Sequence, residues 1–333
     1  MKIHVVSETA FMVKGNGVHT AFLDHVALLK SKNDVEVVVN GQDHGDVYHS
    51  HTYALYYFFK GLRYKKKRIL TVHVIPDSIK GSLPFWPFFM PFVKWYFKQV
   101  YNFADVCIAI SPKVAEAIKE SGAHTEIVNI YNPINIEKWK RTADKRKEGR
   151  RLLGIPDDKF IVIGVGQLQA RKGVEDFMDV AQAVPEAEFV WVGGRPFKAM
   201  TEGVGRIDSR IETATANVHF TGMVDLDLMP LYYAAADLML FPSYQENCPL
   251  APIEAATCGM PVVFRDIEEY RLLYKNEYSK AATTADFISI TKKMIADNEF
   301  YQKGLAIASK LITQFDEDGI RQSLLGLYHR LND

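Results

Sequence analysis

Short β-branched runs alternating with longer stretches of helical period constrain this chain more than any other feature. In the first half the runs are Ile3–Ser7, Val35–Asn40, Val47–His51, Ile69–His73, Val106–Ile110 and Ile127–Ile130. In the second half they are Ile161–Val165, Phe189–Val192, Val218–Thr221, Leu238–Phe241 and Val262–Phe264. A helix between two strands carries the chain back to the end of the sheet from which it left. Parallel sheets built from right-handed crossovers therefore follow. Two such series predict an α/β protein with two doubly wound, Rossmann-like domains facing across a cleft. The expected boundaries are 1–145 and 152–315, with a C-terminal helix at about 316–333 packing back onto the first domain. Between the domains, the charged segment Lys138–Arg151 reads as a linker and an exposed helix start.

Hydrophobic residues make up 48% and aromatic residues 12% of the 333, which excludes a disordered tail and a disulfide-stapled miniature. The formal net charge of zero hides a split. Residues 1–151 hold 23 basic and 14 acidic side chains, whereas 152–333 hold 17 and 26. A positive half and a negative half suggest that one of them meets an anionic surface. Cys107, Cys248 and Cys258 show no paired spacing, which fits a reduced, intracellular protein without a zinc site. The start, from Lys2 to Glu8, lacks the apolar run of a secretion signal. The longest nearly apolar stretch, Leu83–Phe92, is about half of the ~20 residues that span a bilayer, and prolines interrupt it. No transmembrane helix is expected.

In doubly wound sheets ligands bind beyond the carboxyl ends of the strands, and that is where the informative residues fall. After the first run come Gly15 and Gly17, leading into a helical pattern. Glycines there let backbone approach an anion at a helix start, although the same pair also makes an ordinary tight turn. After Val165 the loop Gly166–Gly173 carries Arg171 and Lys172, a fork and a point charge suited to a diphosphate. A solvated cation pair is the plainer reading. The segment Phe241–Ala255 holds Glu246 and Glu254, and a carboxylate accepts two hydrogen bonds from a vicinal diol. Free amides near Asn247, Cys248 and Leu250, at the start of the next helix, suit a phosphate. Diol-gripping carboxylates flanking an anion site outline a nucleotide sugar; a helix cap and a salt bridge are the alternative.

Two decoys stand beside these. Asp225-Leu226-Asp227 spells a DxD pattern of the kind that binds a metal, but here it precedes a helical run and reads as a cap. His49 and His51 alternate as on a strand, without an obvious third ligand; His51 is taken as an acceptor contact instead.

The run Leu231–Ser243, the Glu246…Glu254-Ala255 pair and Cys258-Gly259-Met260-Pro261-Val262-Val263 resemble the retaining glycosyltransferases of family GT4. The glycine loop, the Arg171-Lys172-Gly173 loop and His73 extend the resemblance over most of the chain. It implies the GT-B fold and a UDP-sugar donor, with no metal needed. Glu254 resembles the ribose-binding glutamate, and Glu246 the one reaching the donor sugar. Arg171 and Lys172 look like the pair that neutralises the leaving diphosphate. Gly15 and Gly17 resemble the loop that closes over the donor, and His73 the histidine beside the transferred sugar. One departure is that Asn247-Cys248-Pro249 stands where many relatives have glycine and an aromatic residue, and Pro249 has no amide hydrogen to offer.

Arg63, Lys65, Lys66, Lys67 and Arg68 put five cations in six residues, and nine of the seventeen residues from Phe85 to Tyr101 are aromatic. Read as a helix from Pro91, the segment suits a headgroup boundary, with Phe85, Trp86, Phe88, Phe89 and Trp95 toward lipid. A domain core is the alternative for the aromatics. Single-stranded nucleic acid also fits such a mixture, but the sugar-nucleotide site argues against it. Within the family, the opening Val13–Val18 and Asp266–Tyr270 are similar to Gram-positive and mollicute enzymes that add a second hexose to monoglucosyl-diacylglycerol. The resemblance implies transfer of glucose or galactose to a lipid-linked acceptor. The enzyme would lie peripherally on the inner, anionic face of the cytoplasmic membrane. A transferase acting on polysaccharide, teichoic-acid or polyprenyl-linked precursors is the runner-up, and a catalytically dead UDP-sugar-binding scaffold the rival from another class.

Overall fold

The computed structural model describes residues 1–9, 17–79, 86–194 and 204–333. Contacts divide these into two compact units. One holds residues up to 79, 86–135 and 315–333; the other holds 136–314. Gly15 and Phe85 lie outside the described residues.

The first unit runs β1 (Lys2–Val6), α1 (Gly17–Lys30), β2 (Glu36–Val39), β3 (Val47–Ser50), α2 (Leu55–Gly61), β4 (Arg68–Val72), α3 (Trp86–Phe103), β5 (Val106–Ala109), α4 (Pro112–Glu120) and β6 (Glu126–Asn129). Its sheet is six-stranded in the order β2-β1-β3-β4-β5-β6, and its ladders are parallel. Buried apolar residues on the inner strands, such as Ile3, Val5, Val47, Ile69 and Ile108, account for the strand runs. Each fully buried aliphatic side chain contributes about 1.5–3 kcal/mol.

The second unit runs α5 (Ile136–Trp139), α6 (Ala143–Leu153), β7 (Ile161–Val165), α7 (Val174–Ala183), β8 (Glu188–Val192), α8 (Val204–Glu212), β9 (Val218–Phe220), α9 (Met229–Ala235), β10 (Leu238–Phe241), α10 (Ala251–Thr257), β11 (Val262–Arg265), α11 (Glu268–Leu273), β12 (Ser279–Ala281), α12 (Thr284–Ala296) and α13 (Asn298–Ile312). Its order is β12-β11-β10-β7-β8-β9, again six parallel strands. The edge strand β12 escapes a sequence reading, because Ser-Lys-Ala carries no β-branched run.

The last helix, α14 (Glu317–Asn332), returns to the first unit. Ile320, Leu324, Leu327 and Tyr328 join its core. Polar clasps accompany them: Arg321 pairs with Asp34, Arg330 donates to Glu126 at 2.9 and 2.7 Å, and Lys67 Nζ donates to the Asn332 carbonyl at 2.9 Å.

The segment Lys138–Arg151 is no free linker. Its helix, α6, lies so close to α9 that a Cβ on Gly149 would fall 2.1 Å from the Leu231 carbonyl oxygen. Arg146 donates to the carbonyls of Ala234, Ala235 and Ala236 at 3.3–3.4 Å, satisfying acceptors at the end of α9. Arg146 and Arg150 then share Asp237, at 2.7 and 2.9 Å, and Asp237 also accepts from the Ile161 amide at 2.9 Å. Two cations of the positive run, Arg146 and Arg150, thus serve one half-buried carboxylate and a helix end.

Candidate functional site

In the second unit, a turn over Ala170–Lys172 follows β7 and closes at Gly173, in the left-handed region at φ 71°. A Cβ there would lie 2.3 Å from the Pro242 carbonyl oxygen, so only glycine lets this loop touch the segment after β10. The Tyr244 amide donates to the Arg171 carbonyl at 2.8 Å, completing the contact. Lys172 Nζ consequently meets the Glu246 carboxylate, the two side chains being 15% and 10% exposed. Burial holds the Lys172 ammonium below the usual lysine range; Glu246 opposes that shift and Arg171 adds to it. Arg171 Nε is buried and finds no hydrogen-bond partner among the described residues.

Arg265, at the end of β11, fastens the same segment. Its Nε donates to the Pro242 carbonyl at 2.8 Å, and its guanidinium lies 3.8 Å from the Tyr244 ring centre. It also pairs with Asp176 at 3.1 Å. Asp176 in turn accepts from the hydroxyls of Tyr244 at 2.9 Å and Thr284 at 2.6 Å. Sequence reasoning missed this network. Its only sequence signal is a lone cation ending an apolar strand.

Glu254 lies in α10, buried, and accepts from the Tyr233 hydroxyl at 2.7 Å. Burial first and Glu254 second push that phenol well above its ordinary range, so it stays a donor. Because α10 begins at Ala251, Asn247 and Cys248 are loop residues rather than its first turn; Leu250 holds the N-cap position and its carbonyl accepts from the Glu254 amide at 2.9 Å. Gly17 opens α1 exposed, with nothing described within 4 Å of a Cβ placed there, so no crowding requires a glycine. The cap expected of Asp225 and Asp227 is absent: Leu228 is the N-cap of α9, without a side-chain cap bond.

In the first unit, His73 follows β4 directly. Its Nε2 lies 3.0 Å from His51 Nδ1, beyond the end of β3. His25 reaches the same place from α1, its ring centre 4.6 Å from those of His49 and His51. The Tyr328 hydroxyl of α14 bonds His49 Nδ1 at 2.7 Å and His25 Nε2 at 3.0 Å, and Thr71 Oγ1 bonds His49 Nε2 at 2.7 Å. Burial drives the imidazolium pKa down to about 3 for both His25 and His73, and well below the usual range for His49 and His51. All four are therefore neutral near pH 7. The third histidine, which the sequence did not supply beside His49 and His51, is His25, and α14 adds a tyrosine from far along the chain.

The basic run divides. Arg68 grips Asp105 in a two-pronged pair at 2.9 and 3.1 Å and lies 4.4 Å from the Phe103 ring centre, and Lys67 holds α14. Arg63, Lys65 and Lys66 are exposed. The aromatic helix begins at Trp86 rather than Pro91, which sits inside it and forgoes one intrahelical bond. One face of α3 packs inward through Met90, Phe97, Val100 and Tyr101. The other leaves Phe88 83%, Phe89 53%, Phe92 64% and Trp95 57% exposed. Beside it, α2 packs through Phe58 on Tyr96 and Phe103 at 6.5 and 5.0 Å, while Leu55, Phe59 and Leu62 stay exposed. Among the described residues no helix is long and apolar enough to cross a membrane.

Comparison with known proteins places these features. Residues 15–138 match the family described as Glycosyltransferase Family 4, and 159–296 match Glycosyl transferases group 1. The alpha-galactosylglucosyldiacylglycerol synthase of Streptococcus pneumoniae is 31% identical over 99% of this chain and 90% of its own. The processive diacylglycerol alpha-glucosyltransferase of Acholeplasma laidlawii is 25% identical over 97% of each. The crystal structure of Anabaena Alr3699/HepE with UDP-glucose superposes with a TM-score of 0.76 at 18% identity, covering 99% of this chain and 100% of that one. WaaG, a glycosyltransferase involved in lipopolysaccharide biosynthesis, gives 0.67 at 15%, covering 98% and 99%. These two show the shared fold, which is GT-B. With a relative above 30% identity along nearly its whole length, this chain belongs to glycosyltransferase family 4 and is an enzyme of that family.

Proposed function

We propose that the enzyme transfers glucose or galactose from a UDP-sugar, with retention at the anomeric carbon, to a diacylglycerol-based glycolipid, α-monoglucosyl-diacylglycerol. The observation that carries the lipid acceptor is the set of exposed apolar side chains on α3, Phe88, Phe89, Phe92 and Trp95, joined by exposed Leu55 and Phe59 on α2 and Leu62 after it. Four large exposed apolar side chains on one helix mark an interaction surface. The exposed Arg63, Lys65 and Lys66 each add about 1 kcal/mol of attraction to an anionic leaflet, enough to make binding salt-dependent. The relatives named for diacylglycerol products agree with this reading.

In the second unit, Arg171 and Lys172 take the diphosphate and stabilise its growing charge as the sugar leaves. Lys172 then trades its Glu246 partner for phosphate oxygens, and Glu246 is released toward the donor sugar. Glu254, aimed by Tyr233, holds the ribose diol. In the first unit, His73 is a neutral imidazole fixed by His51, the counterpart of the histidine the family uses in transfer. The transfer draws on no metal.

The test crosses UDP-glucose and UDP-galactose with diacylglycerol and glucosyl-diacylglycerol in vesicles containing anionic lipid. A diglycosyl product from glucosyl-diacylglycerol is expected. Turnover only on water-soluble or polyprenyl-linked acceptors would reject the assignment, and UDP binding without any turnover would indicate a scaffold. The combined Phe88→Ser, Phe92→Ser and Trp95→Ser variant should sediment with anionic vesicles at least about tenfold less, since each exposed ring contributes roughly 1–3 kcal/mol if buried. Unchanged sedimentation argues against that surface.

Arg265→Ala tests the fastening of Glu246. Losing the bonds to Pro242 and Asp176 loosens the segment, and a misplacement near 1 Å costs about 10²-fold in rate. A fall in kcat with donor KM changing little is expected, and Arg265→Lys should not restore it, because lysine lacks the planar fork. Full kcat with a cooperative melt would exclude this positioning role.

A further inference from the structure

We propose that His25, His49 and His51 form a binding site for a divalent transition-metal ion of the zinc class. The three are 3%, 0% and 2% exposed, and one ring nitrogen of each lies within 4.8 Å of one from each of the others. Zinc–nitrogen bonds of about 2.0–2.1 Å require each nitrogen to move roughly 1 Å toward a common centre, within reach of small ring rotations. A second observation points to a ligand: His51 Nε2 is buried without a hydrogen-bond partner among the described residues. Buried polar nitrogens are almost always satisfied, and an orphan in a nest of imidazoles is one coordination bond short.

The donor set decides the class of ion. Three imidazoles and no carboxylate suit zinc, nickel or copper and exclude magnesium and calcium, which take oxygen ligands. Outer partners are already in place. Thr71 holds one nitrogen of His49, and the Tyr328 hydroxyl is shared between His25 and His49. Ligating histidines are oriented by such contacts. The Tyr328 hydroxyl is the group an entering cation displaces, since a hydroxyl has one proton to give and two rings to serve. His73, bonded to His51 at 3.0 Å, stays outside the set as its outer partner.

The experiment titrates zinc chloride into the full chain, stripped with chelator, by calorimetry. Histidine side-chain nitrogen shifts are followed by NMR on the same sample. One zinc per chain is expected, with shifts at His25, His49 and His51. His51→Gln should lose about 100-fold or more in affinity, as deletion of a ligand exceeds the 10–100-fold cost of an outer partner. Tyr328→Phe, which frees two ring nitrogens without removing a ligand, should still bind one zinc. Two results overturn the proposal. One is no uptake by the unmodified chain; the other is uptake that leaves the three buried resonances unmoved and persists in His51→Gln. In either case the cluster is a hydrogen-bonded core only. The NMR readout holds even where a variant fails to fold.

Discussion

Replacing Lys172 by alanine is expected to lower kcat for sugar transfer by about 10²–10³-fold, the usual loss when one preorganised charge-stabilising group is removed. The structure explains why the effect falls on rate. Lys172 is held by a glycine-only contact between two loops and pairs with Glu246 at a site where both side chains are largely covered. In that environment a charge acts with less screening than in water. Stability should fall by only about 1–3 kcal/mol, the cost of leaving one carboxylate without its partner. Lys172→Arg keeps the charge but not the reach, and should recover part of the rate. The measurement is steady-state transfer beside a thermal melt; turnover at the unmodified rate in a folded Lys172→Ala variant would falsify the assignment of the diphosphate site.

The largest stability loss is expected away from that site, at Asp237→Ala. Asp237 accepts from Arg146, Arg150 and the Ile161 amide, and the Arg150 side chain is only 2% exposed. Deleting the carboxylate strands a buried guanidinium, which typically costs 3–5 kcal/mol. Arg150 would keep its bonds to the Pro156 and Lys159 carbonyls, at 2.6 and 2.9 Å, so the lower half of that range is expected. Asp237→Asn retains an acceptor for Ile161 and should be intermediate. Urea unfolding gives the comparison through the midpoint at constant slope; a loss under about 1 kcal/mol would show that the charges reach water.

Much of this protein is legible from local pattern. Most inner strands read clearly because both faces of a parallel sheet are buried, so short apolar runs such as Ile161–Val165 and Leu238–Phe241 appear. The Arg171-Lys172-Gly173 loop and the Glu246 segment stand out because their residues are contiguous, and the structure joins them through the Lys172–Glu246 salt bridge. What escaped depends on partners distant in sequence. Arg150 looked like a solvated linker cation because Asp237 is 87 positions away. Lys67 and Arg68 looked free for lipid because Asn332 and Asp105 are remote. His25 could not be matched with His49 without knowing how α1 lies on the sheet. The aromatic stretch divided between inside and outside in a way that helical spacing alone does not fix, since α2 decides which rings of α3 are covered.

The return of α14 gives the molecule an order of assembly on the ribosome. The first unit's sheet strands emerge early, yet the helix that covers His25 and His49 with Tyr328 follows the whole of residues 136–314. At about 5–20 residues per second that delay is roughly 10–40 s. During it, the first unit lacks the partners that Tyr328 gives to His25 and His49 and that Arg321 gives to Asp34. Completion of the first unit therefore waits on the last 19 residues to be made.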